Sequence, residues 1–142
     1  MGDPALHLIA GPNGAGKSTL HDRIIGPSTG LEFVNADVIA SQRWPGDELS
    51  HAYEASALAA ARRAELLAAQ SSFVTETVFS HRSKLDLIDD ALAAGYLVTL
   101  HVVIVPVELS VARVANRVTV GGHDVPVDKV RGRFARLWPL VA

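Results

Sequence analysis

Residues 11–18 read Gly-Pro-Asn-Gly-Ala-Gly-Lys-Ser and match the pattern G-x-x-x-x-G-K-[ST] at every fixed position. The glycines let such a loop curl, so that successive backbone N–H groups and the next helix's N-terminus surround an anion. The lysine then faces the outer phosphates of a nucleoside triphosphate, and the serine hydroxyl is placed to ligate Mg²⁺. We expect the lysine to be exposed. The predicted triphosphate-binding residues are Gly11, Pro12, Asn13, Gly14, Ala15, Gly16, Lys17, Ser18 and Thr19.

Asp37 follows residues 33–36, Phe-Val-Asn-Ala, and lies just past the carboxyl end of a predicted second strand, residues 32–35. Ligands of open α/β sheets bind outside the carboxyl ends of the strands, so Asp37 is expected to face the same crevice as the loop. An aspartate there could accept the proton of an attacking hydroxyl group. The alternative is that Asp37 is the N-cap of the next helix, since aspartate is a favoured cap. The spacing leaves both interpretations open.

Glu76 and Thr77 end another apolar segment that begins at residue 72. A carboxylate at the carboxyl end of a strand can hold Mg²⁺ or bind a substrate hydroxyl, and the threonine can donate a hydrogen bond. The alternative for Glu76 is an ordinary charge in solvent. The sequence therefore makes Glu76 a candidate metal ligand and places both residues among the candidate substrate contacts.

Arg113 and Arg117 are four residues apart in a predicted helix, residues 107–120, and share one face of it. A Gly-Gly-His segment separates that helix from a second predicted helix, residues 126–137. Glycine-containing segments between arginine-bearing helices are typical of lids that close guanidinium groups over phosphates. The alternative is that these arginines lie on solvated helix faces, which applies most to those of the second helix: Arg131, Arg133 and Arg136.

Apolar segments and helical segments alternate along the chain, which predicts a parallel sheet covered by helices on both faces. The first strand is expected to be central. A capping-box pattern at residues 83–86 and an apolar face of Leu85, Ile88 and Leu92 predict one of the helices, which Gly95 ends. The predicted strands are residues 5–10, 32–35, 72–78 and 96–105, and the other predicted helices are residues 17–25 and 47–70.

Composition limits the classes of protein that fit. The 142 residues suggest a single domain, residues 1–142, and 49% hydrophobic residues indicate a packed core. A formal charge of −2 does not favour a nucleic-acid surface, and no apolar run suggests a membrane helix or a secretory signal. The absence of cysteine excludes disulfides and thiolate metal sites. A cytoplasmic protein is the expectation, and the lack of an Asn-Lys-x-Asp motif argues against a GTPase.

Four blocks of the sequence resemble the zeta-toxin family of bacterial P-loop kinases, in order and in approximate spacing. The first block is shared with many ATPases, whereas its combination with the other three is more specific. The blocks are residues 9–19, residues 33–37 (Phe-Val-Asn-Ala-Asp), residues 72–77 (Ser-Phe-Val-Thr-Glu-Thr) and residues 113–126, which include Arg-Val-Ala-Asn-Arg-Val and Gly-Gly-His.

The resemblance implies an ATP- and Mg²⁺-dependent kinase that phosphorylates the 3′-hydroxyl of the amino sugar in UDP-N-acetylglucosamine. It implies Asp37 as the base, Lys17 and Ser18 as phosphate and metal ligands, Glu76 as a substrate or metal contact, and Arg117 as a transition-state or phosphate arginine. Such kinases usually have a fifth strand and a closing helix, which we do not find before residue 142.

Two other functions remain open at this point. The chain could phosphorylate the hydroxyl group of a different small molecule. It could instead be a weakly active ATP-binding module that works through a protein partner such as an antitoxin.

Overall fold

The structure, a computed structural model, describes residues 2–12, 14–77 and 83–104. Strands and helices alternate through these residues, as the apolar pattern predicts. A π-helical turn lies between α1 and α2, and a 3-10 turn precedes α4. In chain order the elements are β1 (Ala5–Ala10), α1 (Lys17–Leu20), the π turn (His21–Ile25), α2 (Gly26–Thr29), β2 (Glu32–Val34), α3 (Ala36–Arg43), the 3-10 turn (Leu49–His51), α4 (Ala52–Ala68), β3 (Phe73–Thr77), α5 (Ser83–Ala93) and β4 (Leu97–Val102).

The four strands form one parallel sheet in the order β2-β3-β1-β4. Helices flank this sheet, so the predicted α/β fold class is confirmed, and β1 is an interior strand as expected. After β1 the chain forms β2 and β3 on one side of β1, and it then crosses to the other side to form β4. The strand order therefore reverses at the carboxyl end of β1. Ligands of open parallel sheets bind at such a point.

Alternate side chains of each strand pack on opposite faces of the sheet, as strand geometry requires. On one face Leu6 and Phe73 pack against buried residues of α4 and α5, including Leu66 and Ala91. On the other face the buried cluster is Ile9, Ile25 and Val74. Each fully buried large apolar side chain contributes about 1.5–3 kcal/mol relative to an exposed one, so both helical layers hold the sheet.

The helix after the phosphate loop runs further than predicted. It passes through Pro27 and ends before Gly30, whose φ of +64° is left-handed. Proline has no N–H to donate, but here a π turn over His21–Ile25 precedes it. The hydroxyl groups of Ser28 and Thr29 donate to carbonyl oxygens one turn back, at 2.6 and 2.7 Å. The prediction that this helix ends at residue 25 is therefore wrong.

Other boundaries differ by a few residues. The helix predicted over residues 47–70 begins at Ala52, after the 3-10 turn. In α5 the side chain of Leu92 is 57% exposed, so it does not belong to the predicted apolar face. Leu87 and Ala91 lie on the buried side instead, because the stripe that meets the sheet is rotated toward them.

The predicted helices over residues 107–120 and 126–137 lie outside the described residues, as does the end of the chain where a fifth strand was not found. None of the helices in the described ranges is both long and apolar enough to cross a membrane.

Candidate functional site

The phosphate loop begins where β1 ends, between its two neighbouring strands. The Gly11 N–H donates to the carbonyl of Thr77 at 3.3 Å, and the Val103 N–H donates to the carbonyl of Ala10 at 2.8 Å. Gly14 and Gly16 have φ values of +77° and +104°, which other residues rarely adopt. The strand, loop and helix that the motif requires are therefore all present. Asn13 lies outside the described residues.

Lys17 is only 8% exposed, so the prediction of an exposed lysine is wrong. Its ammonium nitrogen Nζ donates to the carbonyl oxygens of Gly11 and Pro12, at 2.8 and 3.1 Å. An ammonium group has three donors, and two carbonyl oxygens of the loop accept from it here. These contacts fix the positive charge at the loop rather than leaving it in solvent.

Ser18 and Thr19 lie in the first turn of α1, and both are exposed. The first turn of a helix presents unpaired N–H groups and a partial positive charge to any anion in front of it. The hydroxyl group of Ser18 is thus accessible at the place where the motif predicts a metal ligand.

Asp37 lies just past the carboxyl end of β2, as predicted, and it is exposed. It is the second residue of α3 and does not cap that helix. The cap is Asn35, whose side-chain oxygen accepts the N–H groups of Asp37 at 2.7 Å and Val38 at 3.3 Å. The interpretation of Asp37 as the N-cap is therefore wrong, and the interpretation of its carboxylate as a chemical group stays a prediction.

Glu76 is the fourth residue of β3, in register with Ile9 of β1. One of its carboxylate oxygens, Oε2, has no access to solvent. The alternative of an ordinary strand-end charge in solvent does not fit this burial. Thr77 follows it at the end of β3, where its carbonyl accepts the first N–H of the phosphate loop.

Among the described residues, three buried side chains are polar or charged, and each lies toward the carboxyl edge of the sheet. Lys17 contacts the loop after β1, Asn35 follows β2, and Thr75 lies in β3 beside Glu76. Asn35 and Thr75 are not among the functional residues predicted from the sequence. The signals were an asparagine directly after a strand and two residues before an aspartate, and a hydroxyl inside an apolar strand. This edge therefore brings the candidate residues of three strands together.

The donors at this edge are of the kind that Mg²⁺ prefers, namely hydroxyl and carboxylate oxygens. Ser18 and Glu76 supply them. No group of three or more histidine, cysteine, aspartate or glutamate side chains forms a metal cluster in the part of the chain that the structure describes. Mg²⁺ usually keeps several waters and binds one or two protein groups together with substrate phosphates, so the residues fit this ion.

The predicted arginines lie outside the described residues. These are Arg113, Arg117, Arg131, Arg133 and Arg136, with His123 between them. Their predicted role as a lid over the phosphates remains a prediction.

Replacing Gly11 by alanine should destabilise the protein by about 1–3 kcal/mol and abolish binding of ATP. A Cβ atom at Gly11 would lie 2.8 Å from the carbonyl oxygen of Val103, a backbone atom that cannot move without disturbing the end of the sheet. Urea unfolding and ATP titration measure both effects. Gly2→Ala is the matched control, because a Cβ there meets nothing within 4 Å. Wild-type stability in Gly11→Ala would contradict this close approach.

A glycine-rich loop between a central parallel strand and a helix, with acidic residues at neighbouring strand ends, defines a P-loop nucleotide-binding domain. The chain belongs to the family described as an AAA domain (AAA_33), which matches residues 6–137. Among curated proteins, none matches the chain.

Solved structures with the same fold include several kinases. The AvrRxo1-ORF1:AvrRxo1-ORF2 complex with sulphate ions has a TM-score of 0.76 at 22% identity, and the match covers 95% of this chain and 47% of that one. The PezAT toxin–antitoxin system of Streptococcus pneumoniae has a TM-score of 0.62 at 19% identity, over 82% of this chain and 54% of that one. Shikimate kinase from Acinetobacter baumannii, in complex with shikimate, has a TM-score of 0.61 at 19% identity, and the match covers 96% of this chain and 78% of that one.

This chain thus spans about half the length of the AvrRxo1 and PezAT chains that it matches. At these identities the likeness shows the fold, which is that of the P-loop kinases predicted from the sequence. The narrower assignment to UDP-N-acetylglucosamine kinases remains a proposal.

Proposed function

We propose that the chain is an ATP- and Mg²⁺-dependent kinase that phosphorylates an alcohol group of a small molecule. The observation that carries this proposal is the placement of Lys17, Asp37 and Glu76 at one edge of the sheet, after or at the ends of three neighbouring strands. A cation for the phosphates, a carboxylate for the hydroxyl proton and a carboxylate for a metal ion are the groups that phosphoryl transfer to an alcohol requires.

The loop binds the triphosphate. Backbone N–H groups around Gly14 and Gly16 and the first turn of α1 surround the phosphates, and Lys17 places its charge against the outer ones. The contacts of Lys17 with two loop carbonyls support this role, because they keep the ammonium group at the loop. Arg113 and Arg117 complete the phosphate contacts in our proposal. The sequence resemblance supports Arg117, and Arg113 is included because it shares a predicted helix face with Arg117.

Ser18 and Glu76 hold Mg²⁺ through a hydroxyl and a carboxylate oxygen. When bound, the ion neutralises charge that develops on the phosphate oxygens. Glu76 and Thr77 also face the acceptor in this proposal. The burial of one Glu76 oxygen supports a fixed role in the site.

Asp37 is the general base. The acceptor oxygen forms a bond to the γ-phosphorus while the bond from that phosphorus to the bridging oxygen breaks, and ADP leaves with the electron pair. The acceptor's proton passes to the carboxylate of Asp37. The exposed position of Asp37, and the capping of α3 by Asn35 in its place, support this role.

The acceptor that we propose is UDP-N-acetylglucosamine, phosphorylated at the 3′-hydroxyl of its amino sugar. The four sequence blocks shared with zeta toxins support it, as does the likeness of fold to a toxin–antitoxin system. Gluconokinase from Sinorhizobium meliloti and shikimate kinase share the fold as well, so a different small hydroxyl compound is the nearest alternative.

A panel of acceptors tests the proposal. Release of ADP and phosphorylation of the acceptor are measured with ATP and Mg²⁺ on UDP-N-acetylglucosamine, UDP-glucose, gluconate and shikimate. We expect turnover on the first compound above that on the others. Turnover on another member would correct the acceptor and retain the kinase. Binding of ATP without turnover on any of them would contradict the proposed reaction.

A protein partner is a second proposal, favoured by two of the similar structures being complexes or systems of two proteins. An antitoxin-like protein would inhibit the kinase by covering the carboxyl edge of the sheet, where we propose that ATP binds. Neither a nucleic acid nor a membrane is a partner in this proposal.

A further inference from the structure

Asn35 and Thr75 are two buried polar side chains to which the proposed reaction gives no task. Asn35 is 5% exposed and Thr75 is 1% exposed. A polar group is costly to bury unless a hydrogen bond compensates for the loss of water, so the partners of these two side chains show what they hold in place.

Asn35 holds the start of α3. Its backbone is extended, with φ −144° and ψ 126°, so the chain changes from strand to helix at this residue. Its side-chain oxygen accepts the N–H of Asp37 at 2.7 Å and that of Val38 at 3.3 Å, and its carbonyl accepts the N–H of Ile39 at 3.1 Å. The backbone of Asp37 is therefore tied directly to a buried side chain.

Thr75 holds the end of β2. Its hydroxyl group donates to the carbonyl oxygen of Val34 at 2.7 Å, and this contact is buried. Val34 is the last residue of β2 and directly precedes Asn35, whereas Thr75 directly precedes Glu76. The hydroxyl thus joins the backbone that leads to Asp37 to the strand that carries Glu76.

We propose that Asn35 and Thr75 are positioning residues, which together fix the carboxylate of Asp37 relative to the phosphate loop and to Glu76. This inference rests on the proposed function in one respect, namely that Asp37 is the base. A base must lie within about 2.6–3.2 Å of the proton that it removes, and a misplacement of about 1 Å can cost about 10²-fold in rate. The hydrogen bonds made by these two buried residues supply that accuracy.

The test compares removal of each contact with its conservative replacement. Asn35→Ala removes the acceptor, and Asn35→Ser keeps one that caps a helix well. Thr75→Val keeps the shape of the side chain and removes its hydroxyl group. Thr75→Ser keeps the hydroxyl group and removes the methyl group. The matched control is Ser72→Ala, because the Ser72 hydroxyl accepts the Ala5 N–H at 2.8 Å at the opposite, amino edge of the same sheet.

We expect Asn35→Ala and Thr75→Val to lower kcat by about 10²-fold. The KM for ATP should change less than about twofold, since the side chains of both residues are hydrogen-bonded to Asp37, Val38 and Val34 and not to the described residues of the loop. Amide hydrogen exchange at Asp37 and Val38 should speed up at least about tenfold in Asn35→Ala. Asn35→Ser and Thr75→Ser should recover most of kcat. Ser72→Ala should lose similar stability to urea and keep the wild-type kcat.

Unchanged exchange at Asp37 and Val38 in Asn35→Ala would overturn the inference, as would a loss of kcat no greater than that in Ser72→Ala. Asp37→Asn is measured beside these variants. Wild-type turnover in Asp37→Asn would show that the proposed base itself is wrong. A low kcat in Asp37→Asn together with a wild-type kcat in Asn35→Ala would overturn the positioning role alone.

Discussion

Replacing Asp37 by asparagine is expected to lower kcat by about 10²–10⁴-fold, because asparagine cannot take the proton of the acceptor hydroxyl. Stability should change little, since the two side chains are of nearly equal size and residue 37 is exposed. The cap of α3 also survives the change, because it is the side chain of Asn35. ATP affinity should stay near the wild-type value, since the loop and Lys17 hold the phosphates.

The measurement is turnover and ATP affinity of the wild type and the variant, side by side at saturating Mg²⁺. Asp89→Asn is the control, because it makes the same change at an exposed position of α5. A wild-type rate in Asp37→Asn would exclude Asp37 as the base, and Glu76 would be the carboxylate to test next.

Replacing Lys17 by methionine is expected to lower kcat/KM for ATP by about 10²–10³-fold, the size of effect found when one charge-stabilising donor is removed from an active site. Methionine keeps much of the side-chain length and fills the buried position. The variant loses the hydrogen bonds to the carbonyls of Gly11 and Pro12 as well as the charge, so a stability loss of about 1–3 kcal/mol is also expected.

Stability and activity therefore have to be measured together, by urea unfolding and by kinetics below the transition. Arg23→Met is the matched control, because it removes an exposed cation further along the same run of helix. Turnover near the wild-type value in Lys17→Met would show that the loop does not bind phosphates in the proposed way.

The central features of the fold could be predicted from the sequence because local patterns determine them. The spacing of Gly11, Gly16 and Lys17 requires a loop between a strand and a helix. The apolar runs on either side supply both elements. Asp37 and Glu76 follow from the same reasoning, since side chains at the carboxyl ends of parallel strands meet at one edge of the sheet.

Features that depend on the exact path of the backbone, or on contacts between distant residues, could not be predicted. The burial of Lys17 depends on the path of the loop backbone, which the motif alone does not give. The role of Asn35 as the cap of α3 appears only when the strand is seen to end at Val34. The contact between Thr75 and Val34 joins residues 41 positions apart, through a pairing of strands that no local pattern specifies.

The continuation of the helix through Pro27 is a further difference, for a related reason. Proline is expected to end a regular α-helix because it lacks the N–H group that α-helical hydrogen bonding requires. The π turn before Pro27 changes that bonding. The hydroxyl groups of the next two residues, Ser28 and Thr29, donate to backbone carbonyls of this turn. The arginines predicted to form a lid lie beyond the described residues and stay predictions.

Transfer of an isotopically labelled γ-phosphoryl group tests the central claim most directly. ATP labelled with ¹⁸O on its γ-phosphate is incubated with the protein, Mg²⁺ and UDP-N-acetylglucosamine, and the label is followed by mass spectrometry. We predict that the labelled phosphoryl group appears on the amino-sugar hydroxyl with the wild type and is absent from it with Asp37→Asn or Lys17→Met. Label found only in inorganic phosphate would contradict a kinase acting on this acceptor.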